Sequence, residues 1–163
     1  MKALTVQQPW AWAIVHGGKP IDNRTQKWGY RGPLAIHAGQ RIDRDALESD
    51  LINDAWCDRY GWGPASNGLF QTGVILGVVD MVGSHWEHPH CCDGIAWAEH
   101  QDRPMMPVEE RRPIAHLEVE NPRSLGFLGE NMITAKGRLG LWTPEPHVVD
   151  RIQTSLAVLA AVA

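Results

Sequence analysis

The chain has 163 residues, 44% of them apolar and 21% charged, and a formal net charge of −4. That size and composition describe one soluble globular domain able to bury a core without disulfide or metal staples. An acidic total argues against general adhesion to phosphate backbones, and the longest apolar tail, LAVLAAVA at 156–163, falls far short of the roughly 20 residues of a membrane span.

The N-terminal MKALTVQQPW lacks a signal peptide's apolar run, and ALTV at 3–6 reads as a short strand. Pro9 suits the first turn of a helix, where its missing N–H costs nothing. WAWAIVH is apolar nearly all round, which predicts a short buried helix stopped at Gly17–Gly18. Beyond the glycines an extended chain would put Asp22, Arg24 and Gln26 on one face and Asn23, Thr25 and Lys27 on the other. RGPLAIHAG at 31–39 reads as a second strand.

An amphipathic helix follows over 43–60. Asp45 and Glu48 are spaced like a capping box, and Leu47, Leu51, Ala55 and Trp56 form its apolar stripe. GWGPASNG at 61–68 is loop by composition, and GVILGVVDMVG at 73–83 reads as a buried strand. Residues 84–112 mix His, Cys, Pro, Met and charge without periodicity and read as a long loop or insertion. PIAHLEVE at 113–120 alternates, with Ala115, Leu117 and Val119 on one face and Ile114, His116, Glu118 and Glu120 on the other. A turn-rich stretch ends in a short strand at LGLW, and 147–163 reads as a C-terminal helix. Short strands at irregular spacing with few helices predict a single domain over 1–163, a small α+β barrel and not a βαβ sheet.

Three cysteines, two of them adjacent (Cys91 and Cys92), do not read as a secreted disulfide framework, so the expected location is cytoplasmic. The charge is unevenly placed. Lys2, Lys19, Arg24, Lys27, Arg31 and Arg41 face a single acid, Asp22, in the first 41 residues, whereas residues 42–110 hold thirteen acids and three bases. Eight tryptophans against two phenylalanines and two tyrosines add indole faces that serve either cores or base stacking. An Asp22–Arg24 pair on one strand face is either a surface ion pair or a set of donors and acceptors for a nucleobase edge, with Lys19 beside it for a phosphate or for catalysis.

HWEHPHCCDGIAWAEH places His85, His88, His90, Cys91, Cys92, Asp93 and His100 close together. These are zinc-ligand types, but their spacing fits none of the usual zinc patterns and vicinal cysteines seldom chelate as a pair. The segment therefore reads as a packed loop, with a metal-stabilised interaction domain built on 85–100 as a third alternative, and no metal or cofactor is expected.

GGKPIDNR fits a G-x-K-x-x-[ED]-x-R signature at Gly17, Lys19, Asp22 and Arg24, and TVQQPWAWAIVHG, RGPLAIHAG, GVILGVVDMV and KGRLGLWTP follow in matching order. In these features the chain resembles the ASCH (activating signal cointegrator homology) domain family. The resemblance implies a PUA-like fold, a small mostly antiparallel β-barrel with helices around it, and a cleft that takes RNA, another single-stranded nucleic acid or a modified nucleoside. It places Gln8, Trp10, Lys19, Asp22 and Arg24 at that cleft. Arg31 and His37 would approach from the second strand, and Lys136, Arg138 and Trp142 from the closing segment. It also implies an alternative, a hydrolase of the same fold: an amidohydrolase on an acylated nucleoside, or a ribonuclease. Lys19 would then be catalytic with Asp22 as a base, at a position where the amidohydrolase branch carries threonine.

Overall fold

The computed structural model describes residues 1–61, 67–100, 112–126 and 132–162. Seven strands build one mixed sheet curved into a half-barrel: β1 (Lys2–Gln8), β2 (Ile21–Arg24), β3 (Gly32–Ile42), β4 (Val74–Trp86), β5 (Ala115–Ser124), β6 (Ile133–Thr134) and β7 (Leu141–Trp142). Their order is β2-β5-β4-β3-β1-β7, with β6 paired to β4. β1 runs parallel to β3, with Lys2 opposite Leu34 and Val6 opposite Ala38, and the remaining pairings are antiparallel. Among the described residues three helices complete the α+β architecture: α1 (Trp10–His16), α2 (Asp50–Tyr60) and α3 (Pro146–Val162). None is long and apolar enough to cross a membrane.

The sheet buries both faces, which is why β4 reads as a continuous apolar run. Leu4, Val6, Leu34, Ile36, Leu76, Val79 and Leu117 face α1 and pack with Ile14 and Val15. The alternate positions Ala3, Ala35, Ile75 and Val78 face the other way, against Trp142 and the Val148 and Ile152 of α3. Gly77 permits the close seating of α1: a Cβ there would lie 2.6 Å from the Arg123 carbonyl oxygen and 2.6 Å from Val15 Cγ1. A third cluster joins α1 to α2. Trp12 and Trp56 rings lie 5.0 Å apart, and Phe70 closes on Trp56 at 5.3 Å.

Several expectations shift. Residues 45–48 form one 3-10 turn, and extended Ser49 separates it from α2, which starts at Asp50. The predicted capping box does not form; Asp43 instead accepts from the Ala46 N–H at 3.2 Å. The buried face of α2 is Ile52 and Trp56, one turn apart. β4 extends through Trp86, three residues into the expected loop, whose residues 101–111 lie outside the described residues. So do 62–66 of the expected 61–68 loop and 127–131 of the turn-rich stretch. His116, on the strand face expected to be polar, is fully buried because residues 87–100 cover it.

At the end of α1, burial and then the Arg59 guanidinium push the His16 imidazole from an ordinary 6.5 down to about 4. The unfolded chain therefore takes up a proton that the folded one refuses between those two values. Stability is full above about pH 6.5 and falls as pH drops toward 4, by up to roughly 3 kcal/mol at about 1.4 kcal/mol per unit. Urea unfolding of wild type and His16→Gln across that range is expected to show the loss in the first and a flatter curve in the second. Parallel curves would remove His16 as the source of the pH dependence.

Candidate functional site

A seven-residue helix spans only about 10 Å, so the chain on either side of α1 is brought back together. The turn at Gly17–Gly18 is closed by the Lys19 N–H donating to the Ala13 carbonyl at 3.0 Å, and β2 then runs as an edge strand against β5. This returns Lys19 beneath Trp10, whose ring centroid lies 5.2 Å from Nζ. A second indole, Trp97, lies at the same 5.2 Å, and its carbonyl accepts from Nζ at 3.4 Å. Trp10 is oriented by its Nε1–H donating to Asp43 at 3.0 Å.

Lys19 is 4% exposed and, among the described residues, makes no ion pair. Burial pulls its amine below the ordinary 10.5, Asp22 and Glu99 oppose that, and Arg24 adds to it. An ammonium held by two ring faces and one carbonyl is a costly arrangement, of the kind found where a charge is put to use. Asp22, also 4% exposed, accepts from Arg24 Nε at 2.6 Å, and Arg24 Nη2 donates to the Thr5 carbonyl at 3.2 Å. The guanidinium thus aims the carboxylate and ties β2 to β1. Asn23 pins the opposite wall: its Nδ2 donates to the Trp97 carbonyl at 2.9 Å, and its Oδ1 accepts from the Glu99 N–H at 3.1 Å. The half-open cavity, about 120 Å³, is lined by Trp10, Lys19, Asp22, Asn23, Leu51, Ala96, Trp97 and Glu99.

Not every residue expected at the cleft is there. Gln8 is fully buried with its amide spent internally, Nε2 donating to the Gln71 carbonyl at 2.8 Å and Oε1 accepting from the Trp12 N–H at 3.0 Å. It anchors the start of α1. Lys136, Arg138 and Trp142 line a different, larger cavity of about 420 Å³, with Gln40, Thr143, Glu145 and His147. Among the described residues the two cavities share none of their lining, so the residues expected at one cleft fall at two separate cavities. Thr5 links them, its carbonyl taking the Arg24 bond and its hydroxyl the Trp142 Nε1–H at 3.2 Å. His37 packs edge-on to Trp142 and bonds the Ala135 carbonyl at 2.9 Å; burial lowers its pKa against the raising effect of that bond. Arg31 donates to the Trp28 and Tyr30 carbonyls and lines neither cavity. Trp97, Asn23 and Glu99 were not legible as site residues in the sequence. The only local signal for Trp97 was an aromatic beside acids in an aperiodic segment.

No protein-family model matches the chain, and a search of curated proteins finds no match. Solved structures do match in fold. The ASCH protein of Zymomonas mobilis in a tyrosine-to-phenylalanine mutant superposes with a TM-score of 0.54 at 9% identity, covering 94% of this chain and 96% of that one. The ASCH structure from the same organism gives 0.50 at 12% identity, covering 94% and 93%. At such identities the likeness concerns the fold, and the fold of this chain is ASCH-like.

Proposed function

We propose that this chain is a nucleic-acid-binding module that takes one unpaired or modified base, of RNA or another single strand or as a free nucleoside, into the Lys19 cavity. The observation that carries the reading is the buried Lys19 ammonium between the Trp10 and Trp97 indoles, beside the oriented Asp22 carboxylate. Two ring faces offer stacking, and the lysine and carboxylate offer a donor and an acceptor to a base edge. At about 120 Å³ the space is below the roughly 300–1,000 Å³ of drug-sized ligand pockets, which favours a single planar group over a length of strand. Lys136 and Arg138, at the other cavity, are available to a phosphate or sugar.

Titration with nucleosides and short single-stranded RNA and DNA, followed by tryptophan fluorescence, tests this. Trp97→Ala is expected to weaken binding about 10- to 100-fold, the equivalent of about 1–3 kcal/mol of stacking. Binding of the short strands should depend only weakly on salt, whereas a steep dependence would move the contact to their phosphate backbone. Saturable binding that Trp97→Ala leaves unchanged would overturn the reading.

One observation favours a hydrolase as the second reading. A lysine pulled toward its neutral form beside a carboxylate suits proton transfer to or from an acylated nucleoside or an RNA 2′-hydroxyl. Turnover of such a substrate, rising with pH as Lys19 loses its proton, would establish it over simple binding.

A further inference from the structure

We propose that His85, Cys91, Cys92 and His116 form a tetrahedral zinc site that clips the segment after β4 onto β4 and β5. One ligand atom from each residue lies within 4.8 Å of all the others. Zn–S bonds of about 2.3 Å and Zn–N bonds of about 2.0–2.1 Å at the tetrahedral angle require S···N separations of about 3.6 Å. The observed separations are 3.5 Å for Cys91 Sγ to His116 Nδ1, 3.5 Å for Cys92 Sγ to His85 Nε2, and 3.6 Å for Cys92 Sγ to His116 Nδ1. Ordinary S–H···N contacts also span about 3.5 Å, so the observation that points to a metal is the convergence of four ligand atoms, two sulfurs and two ring nitrogens, within 4.8 Å of one another.

The groups behind the ligands agree. His116 Nε2 bonds the Glu99 carbonyl at 2.9 Å, which fixes the proton there and turns the Nδ1 lone pair to the sulfurs. His85 Nδ1 bonds the Glu118 carboxylate at 2.9 Å, which leaves Nε2 as the lone-pair nitrogen facing Cys92. Both imidazoles therefore carry the outer partner that metal-bound histidines nearly always have. Glu118 reaches His85 because Gly83 stands opposite it in the ladder, and a Cβ at Gly83 would collide with the carboxylate. The His88 N–H adds a bond to Cys91 Sγ at 3.3 Å.

Tertiary structure supplies what the spacing lacked. His85 and His116 are direct cross-strand partners in the β4–β5 ladder, and their rings stand at 87° to each other. Both vicinal cysteines reach His116 Nδ1, at 3.5 and 3.6 Å, with Cys92 in a positive-φ conformation of 56°. His88, His90, Asp93 and His100, equally suitable by residue type, stay out of the set. Two sulfurs with two imidazoles in a tetrahedral array select zinc over calcium or magnesium. Uptake releases the two thiol protons to solvent, and two thiolates balance the dication. The clip would hold the segment bearing Trp97 and Glu99, which walls the Lys19 cavity.

The test uses the full chain, kept reduced and purified without chelator. Elemental analysis is expected to find one zinc per chain. Replacement by cobalt is expected to give the visible bands of a tetrahedral ion together with a thiolate-to-cobalt charge-transfer band. Cys91→Ser/Cys92→Ser should abolish that band, Cys57→Ser should leave it, and Glu118→Gln should weaken zinc binding about 10- to 100-fold. Zinc-free protein that takes up neither metal overturns the proposal, as does a cobalt spectrum without the thiolate band. Because that spectrum is read on the wild type, it decides the proposal even if the double variant fails to fold.

Discussion

Lys19→Met is expected to leave the fold as stable as the wild type, or more stable by up to about 2 kcal/mol, while abolishing ligand binding. Methionine keeps the length and volume of the stem but removes an ammonium that is 4% exposed without an ion-pair partner among the described residues. Replacing buried charge by well-packed apolar atoms is commonly neutral or stabilising, and the two lost cation–π contacts, at about 0.5–2 kcal/mol each, set the offset. A lysine kept at such a cost serves something other than stability. Urea unfolding and nucleoside titration on the same preparation decide the matter. A variant destabilised by more than about 2 kcal/mol with binding intact would make Lys19 a strut for the Trp10–Trp97 wall and end the proposed function.

Trp12→Ala is expected to cost about 3–5 kcal/mol, a large share of a typical domain's total stability. Trp12 is fully buried against Trp56, Phe70 and Tyr60, the only seam between α1 and α2 formed by large rings among the described residues, and the vacated volume cannot be refilled from a half-barrel that is already packed. Trp10→Ala, two residues away, should cost far less stability and weaken ligand binding instead, because that ring is only half-buried and lines the Lys19 cavity. Chemical denaturation of both variants beside a binding titration separates the two roles. Equal loss of stability in both would mean that Trp10 too is simply core.

Much of the fold is legible in residue order. The strands at 3–6, 31–39 and 73–83, the short helix after Pro9 and the C-terminal helix follow from apolar periodicity and punctuating Gly and Pro, which are local properties of the backbone. The Lys19–Asp22–Arg24 trio was legible for the same reason, since period 2 puts the last two on one face of whatever strand they form. Local rules failed where side-chain choice depends on a neighbour. Asp45 and Glu48 have capping-box spacing, yet both lie inside the 3-10 turn, and it is Asp43 that accepts from the Ala46 N–H.

Residue order alone specifies the elements, the carboxylate–guanidinium pair and a helix short enough to bring Trp10 and Lys19 together. Which distant segments complete each site is set only when the sheet folds. Trp97 closes over Lys19 from a segment more than seventy residues away, and His116 joins His85 and the two cysteines through strand pairing. Folding also divides the expected cleft, sending Lys136, Arg138 and Trp142 to a second cavity and Gln8 into the core. The physical reason is range. Periodicity and capping act over a few residues along the chain, whereas ligand sets and cavity walls are made by contacts that chain order does not encode until the sheet has closed.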